Sequence, residues 1–254
     1  MNPLLVVDDV SVRYAGLAAL SGAKLTVNAG EIVSVIGPNG AGKTTLFNAI
    51  SGFALPTSGR ILFRGEEIQG RSPHDIAAMG MRRTFQNGGL FGGLTVLENV
   101  LTGLHRRTPS GFLGLLLGLS RADAIERAAV DEARALLQTM GIAHLADRHV
   151  RDLSGGQQRI VEIVRTVADR PPLILLDEPA VGLSPAARDH LSSLIQTLSR
   201  QDGIGILLIE HATEMVMRIS DRVAVFSAGA NIAEGTPAEI RANRAVVEAY
   251  LGRG

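Results

Sequence analysis

Residues 32–45 read IVSVIGPNGAGKTT, an apolar run from Ile32 to Ile36 followed by Gly37, Pro38, Asn39, Gly40, Ala41 and Gly42, with Lys43, Thr44 and Thr45 leading into a helical stretch that reaches Ile50. This is the spacing of the P-loop, in the strand-then-helix context that the motif requires. Glycine is needed at 37 and 42 because the backbone must curl closely around phosphate oxygens, turning successive N–H groups inward at a helix N-terminus. Lys43 is placed to reach the β- and γ-phosphates of ATP, and the Thr44 hydroxyl to bind Mg²⁺. Composition supports the lysine independently. Of the 25 basic residues all but Lys24 and Lys43 are arginine, so lysine at 43 marks a site where a compact ammonium fits and a guanidinium fork does not.

Outward from this loop the chain is strand-rich on one side and alternating on the other. β-type runs fall at 4–7, 10–14, 23–27, 32–36 and 61–63, separated by turn residues. From Leu94 to Leu145 the spacing becomes helical, with Ala128, Ala129, Ala133, Leu136, Leu137 and Met140 tracking one face until Gly141. After Leu153 a helix over 157–168, a strand over 173–176, a helix over 185–200 and a strand over 204–209 follow in turn. Strands alternating with helices indicate a parallel sheet covered on both faces. The expected fold is therefore α/β: a P-loop NTPase core with an N-terminal antiparallel β subdomain and an inserted helical subdomain. As one domain of 254 residues, it places the ATP-binding core and β subdomain at 1–90 and 155–254, and the helical part at 91–154.

Leu173, Ile174, Leu175 and Leu176 run into Asp177, Glu178 and Pro179. Paired acids after a strand would alone suggest a solvated loop. With a P-loop in the chain they acquire a role, because ligands of parallel sheets bind at the C-terminal strand edge, where both segments end. Asp177 is the candidate for holding Mg²⁺ through water, and Glu178 for polarising the attacking water.

The bulk figures narrow the classes. Basic and acidic residues balance at 25 each, so no global basic field gathers nucleic acid. Zero cysteines exclude disulfides and thiolate metal sites. Met1 to Asp9 carries no basic n-region and no small-residue cleavage site, so no secretory signal is expected and the default location is cytoplasmic. The apolar stretch between Arg107 and Arg121 is too short to span a bilayer, and reads either as a helix packed on its own domain or as a docking surface for a membrane partner.

Leu153, Ser154, Gly155, Gly156 and Gln157, immediately before a helix, resemble the signature motif of the ABC ATPase family. The resemblance implies that the Ser and Gly backbone groups clamp the γ-phosphate of ATP held by the P-loop of an opposite subunit. It also implies roles for Tyr14, as the aromatic that stacks on adenine, for Gln86, which senses Mg²⁺ and the transporter, and for His211, which contacts the γ-phosphate. Ser184, after Gly182 and Leu183, departs from the Asp that many relatives carry in the D-loop, so communication between two ATP sites is expected to differ. Arg83-Thr84-Phe85-Gln86, Leu90-Phe91, the run Leu94 to Asn99, the apolar insert at 111–118, Glu234-Gly235-Thr236-Pro237 and Tyr250-Leu251-Gly252 look like the larger ATP-binding subunit of branched-chain amino acid importers.

That resemblance implies an ATPase that pairs with a second ABC ATPase subunit, as a heterodimer with a shorter type or as a homodimer. Two permease subunits would dock near Gln86 on the cytoplasmic face of the inner membrane, supplied by a substrate-binding protein. Similar ATPases serve urea import and lipopolysaccharide export, and these stand as alternatives. A soluble ABC ATPase acting on DNA or ribosomes is disfavoured, because the chain has neither a tandem second cassette nor a long heptad insertion. A structural module without turnover would be expected to have lost Lys43, Asp177 or Glu178, and all three are present.

Overall fold

The computed structural model describes residues 3–84, 89–104 and 120–246. Packing divides the chain into two units, one of 1–83, 172–181 and 188–254, the other of 84–171 and 182–187.

The first unit holds two sheets. The strands β3 (Ile32–Ile36), β7 (Leu173–Asp177) and β8 (Gly205–Ile209) are buried along their whole length, as central strands covered on both faces must be. With β6 (Met81–Arg83), β9 (Arg222–Ser227) and β10 (Ala230–Gly235) they form a six-stranded sheet in the order β10-β9-β3-β8-β7-β6. All neighbours are parallel except the β9–β10 hairpin. The register aligns Val35 with Ile209, and Ile209 with Asp177, so β3, β8 and β7 end side by side at one edge. The second sheet is antiparallel, in the order β2-β1-β4-β5, built from β1 (Leu5–Tyr14), β2 (Leu17–Val27), β4 (Ser58–Phe63) and β5 (Glu66–Glu67). One core unites Leu5, Val7, Leu25 and Phe63 of this sheet with Val33, Val35, Leu175 and Ile209 of the other, and includes Phe47 of α1 (Lys43–Ile50). On β9 the alternation sorts Ala224 and Phe226 into that core and Val223 and Val225 into a second cluster. The second cluster includes Val216 of α7 (Thr213–Ile219) and Ile240 of α8 (Pro237–Ala242). The short α2 (Pro73–Ala78) starts on a Ser72 cap, and α6 (Pro185–Arg200) buries Leu191, Leu194, Ile195 and Leu198.

The second unit is helical among its described residues. α3 (Val96–Leu104) packs against α4 (Ser120–Thr139) and α5 (Gly155–Val167). Ala133, Leu137 and Met140 are buried as the helical spacing predicts, whereas Ala128 is exposed. Gly103 makes the packing close: a Cβ there would lie 2.3 Å from the Arg165 carbonyl of α5.

Several boundaries differ from the sequence reading. By packing, the helical unit takes in 84–171 and 182–187, where the sequence reading placed 91–154, and α5 packs on α3 within it. The runs at 4–7 and 10–14 are one strand, interrupted by a bulge at which Asp9 takes a φ of 55°. The sheet is not wholly parallel, since β10 returns antiparallel to β9.

Candidate nucleotide site

The P-loop joins β3 to α1, and the two required glycines have distinct structural reasons. At Gly37 a Cβ would stand 2.1 Å from the Phe226 carbonyl oxygen, and at Gly42, where φ is 96°, it would stand 2.7 Å from the Ala19 carbonyl oxygen. Both obstacles are backbone, so the loop is packed too closely for any side chain at either position. Lys43 is buried at the start of α1, its Nζ donating to the carbonyls of Gly37 at 2.7 Å and Pro38 at 3.0 Å. Burial holds its pKa below the ordinary lysine value, while the Glu178 and Asp177 carboxylates pull it back upward. Asn39, Gly40 and Thr44 are exposed around this ammonium. The loop thus presents a helix N-terminus and one buried cation on a backbone cradle, which fits a polyphosphate.

The other predicted residues arrive on neighbouring strand ends. Asp177 closes β7 and is 3% exposed, and Glu178 follows it in a left-handed conformation with φ of 49°. Such a conformation costs a non-glycine residue about 1–3 kcal/mol and persists only where its surroundings impose it. Glu178 donates its backbone N–H to Ile209 O at 2.9 Å, and its Oε1 lies 3.0 Å from Nε2 of His211. Lys43, Asp177, Glu178 and His211 therefore share one sheet edge. No cluster of three His, Cys, Asp or Glu capable of holding a metal occurs among the described residues. Mg²⁺ binds through one or two protein oxygens with phosphate and water completing its shell, and the Thr44 hydroxyl and the Asp177 carboxylate would be its protein donors here. Tyr14 sits half-exposed at the tip of the β1–β2 hairpin, whose turn residues Ala15 and Gly16 both have positive φ. Gln86 lies outside the described residues, as does most of the apolar stretch at 107–121.

In the helical unit the signature residues open α5. Ser154 Oγ accepts from the Gln157 N–H at 3.3 Å and Gln157 Oε1 accepts from the Ser154 N–H at 3.0 Å, a reciprocal capping box. Ser154 and Gly155 are exposed. A Cβ on Gly155 would meet nothing within 4 Å, while one on Gly156 would meet Leu183 Cδ2 at 3.2 Å. Ser184 caps α6, its Oγ accepting from the Ala187 N–H at 3.3 Å, a task that Asp performs equally well.

Residues 20–181 match the family described as ABC transporter. The chain belongs to that family. Residues 230–254 match a second family, the branched-chain amino acid ATP-binding cassette transporter. The ABC cassette is 44% identical to the high-affinity branched-chain amino acid transport ATP-binding protein BraF of Pseudomonas aeruginosa, covering 99% of this chain and 98% of that one. It is 43% identical to the corresponding protein LivG of Escherichia coli, with the same coverage. Among solved structures it resembles the ADP conformation of an ATP-binding cassette of an ABC transporter, with a TM-score of 0.83, 31% identity and full coverage of both chains. No helix among the described residues is long and apolar enough to cross a membrane.

Two residues of this ABC cassette to which sequence reasoning gave no role in the site support it. Arg83, at the end of β6, donates from one nitrogen to Asn48 Oδ1 and Ser51 Oγ at 2.8 Å each, and from another to Asp177 Oδ2 at 2.9 Å. Its guanidinium carbon lies 5.5 Å and 5.9 Å from the ring centroids of Phe47 and Phe53. The second is Glu210, buried at the end of β8. β6 is a three-residue strand at the edge of its sheet, so no local pattern marks Arg83, and a Glu after a strand carries no signal either.

Proposed function

We propose that this chain is the ATP-hydrolysing subunit of an importer for branched-chain amino acids, working in a pair with a second ABC ATPase subunit on two permease subunits. The observation that carries the enzymatic part is the meeting of the Lys43 loop, Asp177-Glu178 and His211 at one sheet edge. The cargo rests on the resemblance to BraF and LivG over nearly the whole chain. Pairing with a shorter ATPase, docking at the cytoplasmic face of the inner membrane and supply by a substrate-binding protein belong to the same reading.

In this reading residues 37–45 wrap the ATP phosphates, with backbone N–H groups and the Lys43 ammonium facing them and Tyr14 stacking on adenine. Thr44 and Asp177 would hold Mg²⁺, which would supply neutralisation of the phosphate charge. Glu178 orients the attacking water and accepts its proton at the carboxylate; His211 holds Glu178 from one side and faces the γ-phosphate from the other. By the same resemblance Gln86 is assigned the sensing of Mg²⁺ and of the permease. Ser154, Gly155, Gly156 and Gln157, at the start of α5 with Ser154 and Gly155 exposed, meet the γ-phosphate bound by the partner's P-loop. Positioning and charge stabilisation account for most of the rate.

The test is ATP binding and turnover by the chain assembled with its partners. Lys43→Ala is expected to lose nucleotide affinity, whereas Glu178→Gln should bind ATP normally and turn over roughly 10²–10⁴-fold more slowly. Normal turnover by Glu178→Gln would remove that residue as the base. Leucine uptake driven by the wild-type assembly, with none of urea, is the expected cargo result.

A further inference from the structure

The loops that carry Glu178 and His211 are joined by a carboxylate to which neither the P-loop nor the signature motif assigns a part. Glu210 is 2% exposed. Its Oε1 accepts the Ala180 N–H at 2.5 Å, and its Oε2 accepts the His211 N–H at 2.8 Å and the Ala212 N–H at 3.1 Å. The three donors come from two loops that follow different strands, β7 and β8. An ionised carboxylate has only acceptor sites, spread over two oxygens, and so can serve donors approaching from both sides at once.

What the two loops hold between them is a strained residue. Glu178 takes φ of 49°, a conformation that an L side chain adopts only when held. Its own N–H is fixed on Ile209 O at 2.9 Å, before the Glu210 side, and the Ala180 N–H two residues later is fixed on Glu210. On the other loop the residue directly after Glu210 is His211, whose ring nitrogen meets Glu178 Oε1 at 3.0 Å. One side chain thus sets the backbone on both sides of that contact.

We infer that Glu210 is a positioning residue: its carboxylate clamps the Glu178 turn to the His211 turn and thereby sets the Glu178–His211 contact used in hydrolysis. The inference rests on the reading of Glu178 as the base. Glutamine cannot replace it, because its NH₂ group must face a backbone N–H on one side or the other. Aspartate keeps the charge but is one methylene short of spanning both loops.

The experiment measures kcat, KM for ATP and thermal stability of the assembled transporter with wild-type chain, Glu210→Gln, Glu210→Asp, His211→Ala and the Glu210→Gln/His211→Ala double variant. Both Glu210 variants are expected to lower kcat about tenfold or more, within the range that positioning groups command, with KM for ATP changed less than about twofold. The double variant should be no slower than His211→Ala alone, since the clamp acts through that contact. Glu210→Asp guards against misfolding: a wild-type melting curve with lowered kcat supports the clamp. Unchanged kcat in Glu210→Asp, or effects of Glu210→Gln and His211→Ala that multiply, overturns it. If Glu178→Gln stalls while both Glu210 variants turn over normally, only this inference fails; if Glu178→Gln is also normal, the reading of the base fails with it.

Discussion

The two glycine-led helix starts of this chain, α1 and α5, are built by opposite means. At α1 the backbone is forced through a space with no room for a Cβ, against Phe226 and Ala19, and a buried lysine closes the turn onto its own carbonyls. At α5 the turn is held by two side chains in a capping box, Gly155 has room around it, and Ser154 and Gly155 are exposed. The first start is sealed by its own backbone; the second is held by its caps, and in the proposed reading serves a phosphate brought by another chain. Substituting the glycines should break the comparison if it is wrong. Gly37→Ala is expected to cost about 4 kcal/mol or more, because the obstacle is backbone and cannot step aside. ATP binding should go with it, read by calorimetry and a melting curve. Gly155→Ala should change stability by less than about 0.5 kcal/mol and leave ATP binding by the single chain intact, while lowering turnover of the assembled pair. Equal losses of stability from the two substitutions would show that both starts are sealed internally.

The same contrast separates buried from exposed charges. Arg83 and Asp177 form an ion pair whose side chains are 9% and 5% exposed, and Arg83 extends it to Asn48 and Ser51 of α1. Breaking such a pair leaves one charge stranded, at a cost of about 3–5 kcal/mol. Arg83→Met is therefore expected to lower the melting temperature by roughly 10 °C in a chain of this size. Arg83→Met/Asp177→Asn should recover part of that stability, because no lone charge remains, and should recover no hydrolysis. A single substitution that leaves the melting curve unchanged would mean that water reaches the pair.

How much of this was legible in the sequence follows the range of the forces involved. The P-loop, α1, α6 and the fully buried strands β3, β7 and β8 are written in contiguous residues, and the predicted helix over 185–200 coincides with α6. β6 has three residues, two of them arginine, and exists because β7 pairs with it; no local pattern announces it. β9 and β10 follow the last strand read from the sequence, and the first half of β2, from Leu17 to Ser21, alternates too weakly to be separated from its turn. The site divides the same way. Lys43, Asp177, Glu178 and His211 were found because each stands beside a recognisable run or motif. Arg83 and Glu210 act on groups 94 and 30 residues away, and only the sheet order brings those groups together.

The smallest expected effect separates two capping boxes within the helical unit. At α3 the Thr95 N–H and hydroxyl both donate to Glu98 Oε2, at 2.7 Å and 2.9 Å, and the Glu98 N–H donates back to Thr95 Oγ1 at 3.2 Å. These bonds, the backbone one foremost, hold the Glu98 carboxyl below the usual range. A carboxylate whose pKa is lowered by folding stabilises the folded form above its unfolded value, and that contribution is lost as pH falls through the lowered folded value. The Ser154/Gln157 box of α5 is closed by an amide, which does not titrate. Acidification through the carboxylate range should therefore speed amide hydrogen exchange at the first turn of α3 relative to that of α5, after correction for intrinsic rates at each pH. Glu98→Gln should abolish the difference, since an amide can accept the same Thr95 bonds at any pH. Parallel changes at both helix starts in the wild-type chain would place the acid response in the unit as a whole and not in its caps.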